Sequence, residues 1–209
     1  MINMQINLIE GALVTLLFAG YLILWKVKKN VQKKQTGVDP EVMYSDTRPS
    51  QKYFVHLSRL MIVSIISLIG LHMFEFINIP GFIRIDYFNG IFFDMIGFGI
   101  GLSGLLMCLI AQINLGSSWR VGIDRKKKTK LITTGIFSIT RNPTYCGLFI
   151  LCAGVWMIFP TTSFLTWILI FMIMIEFQVR LEEEFLIKMH NEEYRLYCSK
   201  TKRYIPLVY

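Results

Sequence analysis

The chain has 209 residues, 54% of them hydrophobic and 17% charged, with a mean hydropathy of +0.50. This is too apolar for an ordinary soluble domain and too short for several, and it predicts a small, all-α, polytopic membrane protein. The formal charge of +8 does not point to nucleic acid, because lysine and arginine cluster between apolar runs, where they set topology and meet anionic lipid headgroups, and do not interleave with aromatics on a soluble module.

Ile6 to Trp25 is the first apolar run, interrupted only by Asn7, Glu10 and Thr15 and followed at once by Lys26, Lys28, Lys29, Lys33 and Lys34. A signal peptide carries its charges before its apolar core; here they come after it. An uncleaved span with its N-terminus outside is therefore expected. Residues 35–52, with Gly37, Pro40 and Pro49, read as an inner loop, and a second span is expected from about Leu60 to Ile79. A short outer connection containing Pro80, Gly81 and Arg84 leads to a third span from about Ile91 to Ile113.

Gly97, Gly101 and Gly104 fall on one stripe of that third span, which lets a neighbouring helix approach closely and is read as packing. His72 and Glu75 share a face of the second span, and Asp94 lies at a similar outer depth on the third. Ionisable groups at membrane depth suggest function, yet these three can satisfy one another as a polar clasp, and that reading is preferred.

Residues 114–145 carry seven basic residues (Arg120, Arg125, Lys126, Lys127, Lys128, Lys130 and Arg141) against the single Asp124, which places this segment inside. Cys146 to Phe159 and Phe164 to Ile175 are then two short apolar arms flanking Pro160, an antiparallel hairpin whose arms need not cross the full bilayer. Five membrane helices result. Twenty of the 22 lysines and arginines fall in segments placed inside, leaving Arg59 at the inner mouth and Arg84 outside. The four cysteines, Cys108, Cys146, Cys152 and Cys198, form no CxxC pair, so neither a disulfide nor a metal site is expected. The division expected is a three-helix part over residues 1–113 and a second part over 114–209.

The stretch from Leu131 to Gly147, LITTGIFSITRNPTYCG, puts turn, cap and charge chemistry directly before a hydrophobic helix. Gly135 can turn the chain at positive φ, Asn142 is a good N-cap, and Pro143 suits a first helical position. The helix start, with Arg141 just upstream, offers N–H groups and a positive dipole end to a carboxylate or phosphate; a well-capped membrane helix with an interfacial arginine is the plainer reading. In the tail, Glu182, Glu183 and Glu184 open a charged helix that runs through Tyr194 and Tyr197 to Arg203, and Pro206 closes it.

Taken in order, the 131–147 block, the apolar hairpin and the segment EEEFLIKMHNEEYRLYCSKTKRYIP resemble the isoprenylcysteine carboxyl methyltransferases and the related phospholipid methyltransferases. The family pattern L-x-x-x-G-x-[FY]-x-x-x-R-H-P-x-Y-x-G is met by Leu131, Gly135, Phe137, Arg141, Pro143, Tyr145 and Gly147. Its continuation is met by Glu182, Glu183, Leu186, Tyr194, Tyr197, Arg203, Ile205 and Pro206. Three positions depart from it: Asn142 stands where the family has histidine, and His190 and Asn191 stand where it has a Phe-Gly pair. Asn142 keeps a hydrogen-bonding cap but loses a titratable ring. The first three spans match only in being hydrophobic.

The resemblance implies a membrane methyltransferase using S-adenosylmethionine, with a lipophilic acceptor, most simply an isoprenylcysteine-like carboxylate, entering from the bilayer. The cofactor would lie at the inner mouth of the hairpin, against Leu131, Gly135, Phe137, Arg141, Asn142, Pro143, Tyr145, Glu182, Glu183, Tyr194 and Tyr197. Its carboxylate would suit the helix start and Tyr145, and Glu182 or Glu183 would meet its ammonium group or ribose hydroxyls; which glutamate does which stays open. Arg141, Arg180 and Arg203 are candidates to orient the acceptor, with Glu183 as a further catalytic candidate. An acceptor carboxylate, ionised at neutral pH, needs no general base. Two other readings remain: an NADPH-dependent enzyme similar to membrane sterol reductases, and a noncatalytic membrane scaffold.

Overall fold

The computed structural model describes residues 2–44, 48–74, 83–122 and 130–204. Among these, six α-helices form the architecture: α1 (Ile2–Thr36), α2 (Pro49–Met73), α3 (Ile91–Leu115), α4 (Pro143–Ile158), α5 (Thr162–His190) and α6 (Glu192–Lys200). The five expected apolar helices are all present. Four stretches, Gln5–Thr36, Pro49–Met73, Ile91–Ser118 and Thr162–His190, are long and apolar enough to cross a membrane, and α4 is the short one.

Several boundaries differ from expectation. Helix α1 does not stop at Trp25 but runs through the lysines to Thr36, since Lys, Val and Gln all tolerate a helix and the first residue to break it is Gly37 at φ 70°. Helix α2 starts at Pro49, eleven residues earlier than expected from hydropathy, with proline in the first turn, where its missing N–H costs nothing. Its expected end at Ile79, with Glu75, Pro80 and Gly81, lies outside the described residues, as do Asp124 to Lys128, Ile205 and Pro206. Helix α5 is not a short arm: its 29 residues reach about 43 Å at 1.5 Å per residue. Glu182, Glu183 and Glu184 therefore continue the hairpin helix and do not open a new one. Thr161 caps its start, the hydroxyl accepting from the Phe164 N–H at 3.3 Å.

The core lies between α1, α2, α4 and α5, with Leu17, Leu151, Val155, Ile158, Phe164 and Val179 all 1% exposed or less. Outward-facing Leu16, Ile66 and Ile173 are more than half exposed, the inside-out apolar surface that a bilayer covers. The glycine stripe of α3 packs on α4 as expected, and α4 answers it with Gly147 and Gly154. A Cβ on Gly104 would lie 2.5 Å from the Gly147 carbonyl oxygen, and one on Gly154 would lie 2.8 Å from Cα of Gly101. Backbone touches backbone there, so α4 has little freedom to slide.

A polar clasp exists at the hairpin-tip end of the bundle, built on His72 and, among the described residues, on Glu10. His72 Nε2 lies 2.5 Å from Glu10 Oε2, and Arg84 grips the same carboxylate through Nη2 at 2.5 Å and Nη1 at 3.2 Å. Glu10, fully buried, is the acid that meets His72, where the sequence points to Glu75 and Asp94; Glu75 lies outside the described residues. Asp94 is buried nearby, but its Oδ1 has no hydrogen-bond partner among the described residues. Residues 83–85 dock on the hairpin tip through Ile85 N–H to Pro160 O (2.7 Å) and Thr162 N–H to Ile83 O (3.0 Å).

At the other end, Lys28 Nζ donates to Gly116 O at 2.9 Å, and Gln32 donates to the Ser117 and Trp119 carbonyls. Val121 N–H donates to Pro40 O at 2.9 Å, and Met43 N–H to Val121 O at 3.0 Å. The segments following α1 and α3 are thereby tied together beside the loop that leads into α4.

Candidate active site

The loop before α4 begins with Gly135 at φ 63°. A Cβ there would collide with the Asn114 side chain, whose Oδ1 accepts from Ile136 N–H at 3.0 Å. Glycine is needed twice over, for its dihedral angle and for this approach. The loop then meets the tail. Thr140 pairs with Lys202 in an isolated parallel bridge, Arg141 N–H donates to Lys202 O at 2.9 Å, and the Thr140 hydroxyl donates to Arg203 O at 2.9 Å. The tail after α6 therefore folds back over the α4 entrance.

Between loop and tail sits Glu183, buried and bound on both oxygens. Arg141 Nε donates to Oε1 at 3.0 Å; Arg203 donates to Oε2 through Nε at 3.0 Å and Nη2 at 2.7 Å. Arg141 also reaches the tail, with Nη1 at 2.5 Å from Thr201 O. Burial pulls the Arg141 guanidinium down, but the hydrogen bond and charge of Glu183 raise it further than burial lowers it. Arg203 Nη1 extends the network to Glu176 Oε1 at 2.9 Å, and the Tyr204 hydroxyl donates to Glu176 Oε2 at 2.7 Å. Glu176 and Tyr204 were not singled out in the sequence.

Asn142 precedes Pro143 as an N-cap should, yet its side chain makes no cap hydrogen bond, and its φ of −128° and ψ of 55° turn it elsewhere. Its Nδ2 points to Glu183 Oε1 (3.4 Å) and Arg203 O (3.3 Å). The amide turns its NH2 to these two acceptors and caps no helix N–H, so Asn142 belongs to the Glu183 cluster. Arg180 stands at the edge of this network: its Nε pairs at 2.7 Å with Glu176 Oε1, the oxygen that also accepts from Arg203, and its side chain is 57% exposed.

Glu182 follows a different path. One residue along α5 is a turn of about 100°, which aims Glu182 at α4 and α2 while Glu183 faces the tail. Tyr145 OH donates to Glu182 at 3.0 and 3.2 Å, Gln178 Nε2 donates to Oε1 at 2.9 Å, and Gln51 Nε2 of α2 donates to Gln178 Oε1 at 3.1 Å. Both donors to Glu182, the Tyr145 phenol and the Gln178 amide, are neutral, and among the described residues Glu182 forms no ion pair. Gln178 sits four residues before Glu182, a spacing that a helix places on one face; Gln51 could not be found while α2 was expected to start at Leu60.

The remaining expected residues hold the tail. Tyr194 and Tyr197 are buried on one face of α6 with ring centroids 5.9 Å apart, and Tyr197 OH donates to the carbonyl of buried Phe137 at 2.5 Å. Burial raises both phenols above their ordinary range, so they stay protonated. Leu131 is half-buried at the start of the loop. The arrangement thus offers two adjacent carboxylates of opposite character: Glu183 is saturated by guanidinium groups, and Glu182 is surrounded by neutral donors.

Residues 93–193 match the family described as phospholipid methyltransferase. A protein-S-isoprenylcysteine O-methyltransferase of Schizosaccharomyces pombe is 29% identical over 103 residues, which cover 47% of this chain and 43% of that protein. The chain thus matches less than half the length of that relative. Among solved structures, that of the eukaryotic intramembrane Ras methyltransferase ICMT (isoprenylcysteine carboxyl methyltransferase) aligns with 98% of this chain and 74% of its own, at a TM-score of 0.56 and 15% identity. That likeness establishes the fold: the chain is an integral, multi-pass membrane protein.

Proposed function

We propose, from the premise that this is an ICMT-like membrane protein carrying the phospholipid methyltransferase pattern over residues 93–193, that it methylates a lipophilic acceptor with S-adenosylmethionine as donor. The observation that carries the reading is the pair of neighbouring carboxylates. A half-buried carboxylate that, among the described residues, accepts from the neutral Tyr145 and Gln178 alone gains most from a cationic ligand, because an unpaired charge away from water is otherwise costly. The adjacent Arg141–Glu183–Arg203 cluster keeps guanidinium groups beside it for a ligand's carboxylate. A ligand bearing both an ammonium and a carboxylate fits this residue set, and the amino-acid end of S-adenosylmethionine is one.

When bound, the cofactor supplies a sulfonium methyl open to direct displacement. The protein's part is then to hold, align and keep dry. Glu182 would take the ammonium group, and Arg141, with the α4 start behind it, the carboxylate. Glu183 positions both arginines and does not itself face a ligand. The tail segment 201–204, bound across the loop, excludes water from the mouth. An acceptor carboxylate with a pKa near about 4 is ionised at neutral pH and needs no general base, so Arg203 is assigned to orient it and proximity does the rest. The acceptor would reach the site between helices, because a lipid tail has no other dry route. Charge asymmetry puts the site and C-terminus on the cytoplasmic side and the N-terminus outside.

Titration of the purified full chain with S-adenosylhomocysteine and with NADPH tests this reading. Saturable binding of the first and none of the second is expected. Binding of NADPH alone would favour a reductase, and binding of neither a scaffold.

A further inference from the structure

Gln51 is fully buried in α2, on a part of the chain outside residues 93–193, and Gln178 is 1% exposed on α5. Two buried amides facing each other inside an apolar bundle need an explanation, since each unsatisfied polar atom costs roughly 1–3 kcal/mol. Interhelical glue is the simplest. A pair acting only as glue would close on itself, and this one does not. Glu182, if ionised, can only accept, so Gln178 must turn its NH2 toward it and its carbonyl away; that carbonyl then requires a donor, which Gln51 supplies at 3.1 Å. The chain of hydrogen bonds runs in one direction and ends on the carboxylate, each bond polarising the next. Gln51 Oε1 is left without a partner among the described residues, a cost that the orientation of the chain explains and glue does not.

We infer that Gln51 is a positioning residue of the methyl-transfer site, fixing through Gln178 the orientation of the Glu182 carboxylate that receives a cationic ligand group. The inference rests on the reading of Glu182 given above and extends the site to a helix that the family pattern does not reach.

The test compares two probes on the full chain in detergent: S-adenosylhomocysteine, which has an α-ammonium group, and 5′-methylthioadenosine, which lacks the amino-acid end. Gln51→Leu should weaken the first by roughly tenfold, the scale of one hydrogen bond to a charged group, and leave the second unchanged. Glu182→Gln should show the same selectivity, and adding Gln51→Leu to it should cost nothing further. A Gln51→Leu protein that binds both probes normally, or loses both equally, while Glu182→Gln remains selective, overturns the role of Gln51 and leaves the reading of Glu182 standing. An unselective Glu182→Gln overturns that reading and the inference with it. If Gln51→Leu does not fold, Gln51→Asn, one methylene too short to reach Gln178, is read in the same way; failure of both to fold would make Gln51 a structural residue and overturn the proposal.

Discussion

Two glutamates side by side on α5 meet different neighbours because a helix turns them apart, and the proposed function gives them different parts. Glu183 accepts three guanidinium hydrogen bonds and Glu182 accepts from a phenol and an amide. Removing Arg141 deletes the charge proposed to face the ligand and leaves Glu183 with Arg203; removing Glu183 frees both arginines from their anchor. Arg141→Ala is expected to weaken S-adenosylhomocysteine by about ten- to a hundredfold, the range of a charged hydrogen bond in a dry site. Glu183→Ala should weaken it also, and should loosen the tail, which limited proteolysis between α6 and Arg203 would report. If both variants bound normally, the assignment of this cluster would be wrong. The sequence showed these charges but not their pairing: the 131–147 block and the double glutamate were legible as a resemblance, while the turning of Asn142 from its cap position toward Glu183 depends on an electrostatic competitor 41 residues away.

At the scale of elements, the turn between α5 and α6 rests on Asn191, at φ 48° and ψ −120°, a conformation that glycine adopts freely and other residues adopt under strain of about 1–3 kcal/mol. The family pattern has glycine at this position, and the dihedral angle gives the reason. Asn191→Gly is therefore expected to stabilise the protein by about 1 kcal/mol, part of the relief being offset by the larger entropy that glycine loses on folding. Thermal unfolding in detergent should show a midpoint roughly 2–4 °C higher; an unchanged or lower midpoint would mean that the strain is already relieved by the bonds around Asn191. The same scale shows where hydropathy misleads. Apolar runs located α3 and the start of α4 well, because glycine and proline punctuate them. They missed how far α1, α2 and α5 extend beyond their apolar parts, because a charged helix end looks like a loop when only hydrophobicity is counted.

Across the whole molecule the two ends differ in character. The end at the hairpin tip is closed by Glu10, His72 and Arg84, a clasp joining α1 and α2 to the loop docked there; partners 62 and 74 residues apart leave no local signal, so the sequence pointed to His72 but not to Glu10. The opposite end carries the paired loops and the candidate site. A reporter fused after Tyr209 should read as cytoplasmic, and one placed before Met1 as external; the reverse would put the site on the wrong face of the membrane for a cytoplasmic cofactor.

The proposed function requires transfer of a methyl group to a lipophilic acceptor. Purified full-length protein, incubated with methyl-labelled S-adenosylmethionine and lipid extracts or prenylated cysteine acceptors, should move label into an organic-soluble product. That transfer should be lost in Arg141→Ala. If the acceptor is a carboxylate, the label should be released by mild alkali, as a methyl ester must be. No label in the organic phase with any acceptor, from protein that is folded and binds S-adenosylhomocysteine, would contradict the account.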